Sequence, residues 1–197
     1  MKIDYFVTTG YLILTYYLAA VIIRFILGIP HDSLWLSHAT LPLLGLGFIL
    51  KNKLLTTAAG IILLIPHLLW SVDYFLRILA LPSIGMTDYL VHAHPLAYMS
   101  TIHHFVTPAL IIWSFVVLGV HKRAWLLATT FFLFMTTTAL LITPAELNIN
   151  CAYEMCHALQ DYLPTPPMYW LALHLLVLAL LFLQNKVFIK LFDKKKG

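Results

Sequence analysis

Charged residues are scarce in this sequence. Only 10% of the 197 residues are Asp, Glu, Lys or Arg, whereas 61% are hydrophobic, and the mean hydropathy is +0.90. A soluble domain has about a quarter of its residues charged, because its surface faces water. The shortage therefore excludes an ordinary soluble fold and predicts an integral membrane protein. The net charge of +4 does not indicate a nucleic-acid partner, since most basic residues form short clusters between apolar runs, as orientation signals do.

Several sequence signatures are also missing. There is no HExxH zinc motif, and no predicted helix carries two histidines about four turns apart, as two-haem bundles do. Cys151 and Cys156 lack the CxxC spacing of redox sites, and the sequence is compatible with either a disulfide or two free thiols. No cleavable signal peptide is evident. The lack of Asn-x-Ser/Thr sites and the small size favour a bacterial inner (plasma) membrane.

What the chain does contain is a series of long apolar segments. A bilayer core about 30 Å thick needs about 20 apolar residues in a helix. The sequence predicts an all-α bundle of six transmembrane helices in a single polytopic domain, residues 1–197, with an outer loop and interfacial helix at 73–102. The predicted spans are 5–27, 34–50, 54–72, 105–120, 125–142 and 167–184.

The basic residues orient this bundle. Lysines and arginines occur near residue 2, at 51–53, at 122–123 and at 186–196, which six spans would place on one side. Cytoplasmic loops carry the excess of Lys and Arg, so both termini are predicted to be cytoplasmic.

Nine of the ten histidines then fall at the opposite, outer level. Ionisable side chains at membrane depth usually face the bundle interior or a wet cavity. Together with Arg24, Asp73, Arg77 and Glu146, they predict a polar pocket open to the outer leaflet. The histidines are His31, His38, His67, His92, His94, His103, His104, His157 and His174.

Such a pocket suits an esterase-like mechanism, in which a histidine activates a hydroxyl for attack on a lipid ester. Ser37 or Thr40, next to His38, would be the nucleophile, and His103 or His104 the base. An oxyanion or headgroup would be bound by further polar residues of the same layer. These are Asn148, Asn150, Asp73, Arg77, His67, His174 and Glu146.

Two other uses of the pocket stay open. Several imidazoles at one level suit zinc or another metal, which would activate water for hydrolysis. Alternatively, the protein is a non-catalytic binding or transport protein for a lipid, a solute or a metal. Membrane lipid is the expected partner in the enzyme reading, and the sequence sets no oligomeric state.

A family resemblance supports the enzyme reading. The segments 100–108 (STIHHFVTP), 147–153 (LNINCAY) and 159–170 (LQDYLPTPPMYW) resemble those of the YwaF-like bacterial membrane proteins and their animal transmembrane acyltransferase relatives. The His-then-Pro arrangement is more distantly similar to the androgen-induced-gene lipid hydrolases. Residues 36–40 (LSHAT) resemble an early-helix segment of the acyltransferases, with Ser37 where they have a presumed Cys nucleophile. The resemblance implies lipid acyl transfer or hydrolysis.

Overall fold

The computed structural model describes residues 4–153 and 166–192, and their regular structure is helical, with no strand. Five segments are long and apolar enough to cross a membrane, with α5 and α6 forming one of them. The helices are α1 Tyr5–Ile26, α2 Leu36–Ala39, α3 Leu41–Ile49, α4 Lys53–Ile78, α5 Pro95–Met99, α6 His103–Leu118, α7 Ala124–Ile142 and α8 Pro166–Phe192. Short 3-10 turns lie at Pro30–Leu34, Asp88–His92, Ala145–Leu147 and Ile149–Cys151.

The predicted span at 34–50 is not a single helix. A 3-10 turn precedes α2, and α2 ends at Ala39 before α3 begins at Leu41. Pro42 lies in the first turn of α3. Its ring has no N–H to donate and would clash with the carbonyl of His38 in a continuous helix, which explains the break. Together, Leu36–Ile49 form a shorter apolar helical segment than the five candidate spans.

The prediction of a loop from residue 73 to residue 102 is wrong in its first part. Helix α4 continues through Asp73 to Ile78. The buried carboxylate of Asp73 accepts backbone N–H bonds from Ile84 and Thr87, at 2.6 and 2.8 Å. The charge is thus satisfied by the following loop, and the helix tolerates it.

The last helix is also longer than the predicted 167–184. Helix α8 extends to Phe192, and its C-terminal turns pack on the bundle. Asn185 donates through Nδ2 to the carbonyl of Lys122 at 2.8 Å, and the Phe188 ring lies 5.2 Å from that of Phe115.

Helix α4 lies at the centre, in contact with α3, α6, α7 and α8, while α1 packs against α3. Small residues permit the closest approach: a Cβ on Gly10 would lie 2.6 Å from the carbonyl oxygen of Gly45. Many large apolar side chains point outward, among them Leu12, Phe134 and Leu175. An apolar exterior of this extent suits contact with lipid.

Candidate functional site

Four buried histidines converge at one end of the bundle. His38 comes from α2, His67 from α4, and His103 and His104 from the first turn of α6. The His67 ring centroid lies 5.1 Å from that of His103 and 4.4 Å from that of His104, and the His38 centroid lies 4.5 Å from that of His103. We call these four residues the histidine cluster.

The backbone before α6 orients two of these rings. Nδ1 of His103 lies 3.0 Å from the carbonyl oxygen of Ser100, and Nδ1 of His104 lies 2.9 Å from that of Thr101. A carbonyl can only accept, so each Nδ1 carries the proton and donates it. A neutral imidazole protonated at Nδ1 has a lone pair at Nε2. Both Nε2 atoms are therefore bare ligand or base positions.

Thr107 orients the third ring. Its hydroxyl donates to the carbonyl of His103 at 2.7 Å, one helical turn earlier. The hydroxyl has only one proton, so toward Nδ1 of His67, its other partner, it must accept. His67 therefore also carries its proton on Nδ1 and presents Nε2 as an acceptor.

The three rings have the arrangement of a metal site. His67, His103 and His104 each offer a ring nitrogen, and these three atoms lie within 4.8 Å of one another. Nε2 of His67 and Nε2 of His103 are buried without a hydrogen-bond partner. Metal-binding histidines usually donate their other N–H to a carbonyl or another oxygen, as all three do here. Zinc bonds of about 2.0–2.1 Å require nitrogens roughly 3.4 Å apart in a tetrahedral site, so binding would draw the rings together.

Two further contacts hold α4 and α6 together beside the cluster. Pro108 has no N–H for the carbonyl of His104, and the hydroxyl of Ser71 donates to that carbonyl instead, at 3.1 Å. One residue earlier on α4, the Trp70 ring stacks on His104 with centroids 4.3 Å apart and an interplanar angle of 21°. These contacts fix the His104 ring and cover it from one side.

Arg24 joins the cluster through His38. Its Nη2 donates to Nε2 of His38 at 2.6 Å and to Oγ of Ser100 at 3.0 Å. Helix α1 ends immediately afterwards, because Gly28 takes φ +73°, a left-handed conformation that glycine adopts without strain. The N–H of Ile29 then donates to the carbonyl of Arg24, completing the helix end.

The predicted nucleophiles are not paired with these histidines. Thr40 is fully buried, and its Oγ1 has no hydrogen-bond partner. Within the described residues, no hydrogen bond links the Ser37 hydroxyl to a histidine. The geometry therefore provides no activated hydroxyl among the two candidates, and their role as nucleophiles stays a prediction.

The two asparagines lie beside the segment that carries His38. Asn150 accepts from the N–H of Leu36 at 2.7 Å and donates to the carbonyl of Leu34 at 2.9 Å. Asn148 accepts from the N–H of Tyr153 at 3.0 Å. The contacts of Asn150 position the start of α2, whereas those of Asn148 shape its own turn. Their role in oxyanion binding stays a prediction.

The remaining predicted site residues form separate groups. Asp73 and Arg77 organise the loop after α4, where Arg77 pairs with Asp88 and Thr87. His174 lies on α8, with Nε2 3.1 Å from Oγ1 of Thr136 and Nδ1 2.6 Å from the carbonyl of Trp170. Glu146 is exposed.

Cys151 is disulfide-bonded, which agrees with one of the two alternatives left open by the sequence. Cys156 and His157 lie outside the described residues. Sequence reasoning missed the supporting residues Ser71, Ser100 and Thr107. Thr107 was open to discovery, because it follows His103 by four residues and thus lies on the same helix face.

Comparisons with family models, with curated proteins and with solved structures give no match for this chain.

Proposed function

We propose that this protein is a metal-dependent hydrolase of membrane lipids. A divalent transition metal, most simply zinc, would bind Nε2 of His67, His103 and His104. The observation that carries the proposal is the shared protonation pattern of three rings that meet: each Nδ1–H group donates to an oxygen acceptor, which leaves a lone pair on each Nε2, and one ring nitrogen of each histidine lies within 4.8 Å of those of the other two. Neutral imidazole nitrogens are good zinc ligands, and a hydrogen bond from the other ring N–H to an oxygen fixes the ring orientation in such sites.

Three protein ligands favour catalysis over a purely structural role. Catalytic zinc sites leave a fourth position for water, whose pKa the metal lowers to about 7. The resulting hydroxide would attack the carbonyl carbon of a lipid ester and form the new C–O bond. The bond to the alcohol oxygen then breaks, and that oxygen takes up the proton of the spent hydroxide. Metal-bound water serves as nucleophile here without an activated Ser37 or Thr40.

Lipid is the proposed substrate because the cluster lies between helices that are long and apolar enough to span a bilayer. We infer six crossings, with Leu36–Ile49 as the second, and both termini in the cytoplasm of a bacterial cell. The packing of the basic turns supports this orientation, because they gather at the end of the bundle opposite the histidine cluster. Lys51 pairs with Asp4 at 2.6 Å, and an open cavity of about 500 Å³ is lined by Lys53, Val120, His121, Lys122 and Arg123.

The first test is metal content. The full chain is purified in detergent, incubated with zinc and dialysed against a weak chelator. Its zinc content is then measured by elemental mass spectrometry. We expect about one zinc per chain in the wild type and in His174→Ala, and a loss of zinc in His67→Ala, His103→Ala and His104→Ala. Helical circular dichroism and the thermal midpoint of each variant serve as folding controls. A wild type without zinc, or an equal loss in His174→Ala, would contradict the proposal.

The second part of the test is turnover. The zinc-loaded protein is incubated with vesicles of bacterial lipids, and released fatty acid is measured. A strong chelator should abolish release, and added zinc should restore it. Release that persists after chelation, with no zinc bound, would favour the hydroxyl mechanism instead.

A second candidate is a non-catalytic metal-binding protein, which the position of His38 favours. Its ring lies close to that of His103, and on release from Arg24 it would be a fourth imidazole that closes the coordination sphere, as in structural sites. In that case His38→Ala should lower zinc affinity as much as His67→Ala, and the lipids should stay intact. In the hydrolase, His38→Ala should retain zinc.

A further inference from the structure

Arg24 is a buried cation with incomplete bonding. It is 4% exposed, and its Nη2 donates to His38 and Ser100. Its Nη1 is buried and has no hydrogen-bond partner. Ser100 in turn donates to the carbonyl of Ala97 at 2.7 Å, so the hydroxyl is held in position to accept from Arg24. The guanidinium is thus fixed by Nη2, whereas Nη1 is buried and unpaired.

No carboxylate neutralises this cation within residues 4–153 and 166–192. The ion pairs of this part of the chain join other residues, and Arg77 in particular is paired with Asp88. Asp32 forms no ion pair with Arg24 and acts on it only at longer range. Burial raises the pKa of the Asp32 carboxyl, and the positive charge of Arg24 opposes this rise. Burying an uncompensated charge is costly.

We propose that Arg24 binds the phosphate group of a membrane phospholipid. Two N–H groups on Nη1 are available for its oxygens, and arginine is well suited to phosphate, because its planar donors match the oxygen geometry. The phosphate would supply the missing negative charge. Arg24 lies near one end of α1, where headgroup phosphates are expected for a spanning helix.

The location links this anion site to the proposed metal site. His38 contacts Arg24 through Nε2, and its ring packs on that of His103. A phosphate on Nη1 would therefore be separated from the metal by about one side chain, that of His38. This choice of substrate, a phospholipid over a neutral glyceride, rests on the proposed hydrolase function, whereas the anion site depends on Arg24 alone.

The test compares lipids that differ only in phosphate. Binding of dioleoyl phosphatidic acid and of dioleoylglycerol to the full chain in detergent is measured by native mass spectrometry and by the shift in thermal midpoint. We expect the wild type to bind phosphatidic acid at least tenfold more tightly than dioleoylglycerol. Arg24→Gln should lose this preference, and Arg77→Gln, the matched control, should keep it. Equal binding of phosphatidic acid by Arg24→Gln and wild type would overturn the proposal.

Further arms separate the alternatives. If inorganic phosphate binds the wild type as tightly as phosphatidic acid does, the ligand is free phosphate and the phospholipid assignment fails. If Arg24→Gln does not fold, Arg24→Lys replaces it, and we expect several-fold weaker binding of phosphatidic acid because the planar fork is lost; unchanged binding would contradict the proposal. Zinc content should stay at the wild-type level in the folded Arg24 variant. If the wild type binds no zinc but still prefers phosphatidic acid, the metal site is contradicted and the anion site is supported.

Discussion

At the scale of single residues, hydrogen bonds to Nδ1 decide what the histidines can do. A surface imidazole exchanges between two tautomers, but His67, His103 and His104 each face an oxygen that must accept. Every one of these bonds leaves Nε2 as the free nitrogen. His174 is different, because both of its nitrogens have partners, Trp170 and Thr136. Proximity in sequence or in membrane depth does not distinguish these two situations.

Thr107 provides the test at this scale. In Thr107→Val the shape is kept, but Nδ1 of His67 loses its acceptor and the ring loses its fixed orientation. Removal of such a supporting partner typically lowers metal affinity about 10- to 100-fold. Competition with a chromophoric chelator measures the zinc affinity, and Thr107→Ser, which keeps the hydroxyl, is the control. Unchanged affinity in the valine variant would show that this hydrogen bond does not position a ligand.

At the scale of elements, short irregular segments position the polar residues. The break between α2 and α3 brings His38 to the cluster, and the segment before α6 supplies the carbonyls of Ser100 and Thr101. The loop after α4 is organised by Asp73, whose Oδ2 also accepts from the hydroxyl of Thr87 at 2.7 Å. The buried carboxylate of Asp73 thus accepts three hydrogen bonds from this loop. These bonds explain how helix α4 can continue past Asp73 with the charge buried.

The loop can be tested through Asp73→Asn. The amide has one acceptor oxygen in place of two, so at least one bond from Ile84 or Thr87 is lost. Leaving a buried donor unpaired costs about 1–3 kcal/mol. Hydrogen exchange should therefore accelerate at the amides of Ile84 and Thr87. Asp88→Asn is the control, since Asp88 is largely exposed, and it should leave these two amides protected. Equal protection in both variants would refute the role given to Asp73.

At the scale of the whole molecule, the two ends of the bundle differ in chemistry. One end holds the histidine cluster and Arg24, and the other holds the basic turns with the Lys51–Asp4 pair. Cytoplasmic loops of membrane proteins are rich in Lys and Arg, so this asymmetry predicts that the basic end of the bundle is cytoplasmic.

Cysteine labelling checks this orientation. In a Cys151→Ser, Cys156→Ser background, Lys122→Cys and Glu146→Cys are exposed to a membrane-impermeant maleimide in intact cells. We expect labelling at position 146 only, and labelling at 122 after the membrane is opened. Lys51→Cys should behave as Lys122→Cys does. Labelling of positions 122 and 146 from the same side would refute the proposed crossing by α7 between them.

The helix bounds show which parts of the fold could be predicted from the sequence. Apolar runs located the long helices, and each of the six predicted starts lies within two residues of the start of a described helix, for instance residue 54 against Lys53. The same runs concealed the break at Thr40, because a proline after an apolar stretch is compatible with both a kink and a new helix. The ends of α4 and α8 were also missed, since Asp73 and Asn185 have partners far away in sequence.

The candidate site was likewise predicted only in part. Sequence and depth placed His38, His67, His103 and His104 in one polar layer, and the structure brings these four together. They also included Arg77, Glu146 and His174, which lie apart, because residues at one depth can face different neighbours around the bundle. The resemblance to lipid acyltransferases and hydrolases stays a prediction.

Composition by itself determined the class of protein, since a chain with so few charges has to cover its surface with lipid. The clusters of Lys and Arg between the apolar segments similarly predict the orientation, because each acts locally at a membrane surface. Only the tertiary structure decided which nitrogen is free in His67, His103 and His104, and that Arg24 has no carboxylate partner within the described residues. Both properties depend on partners from other helices: Thr107 meets His67 across 40 residues, and Ser100 meets Arg24 across 76. Such pairings arise from helix packing, which no local pattern in the chain encodes.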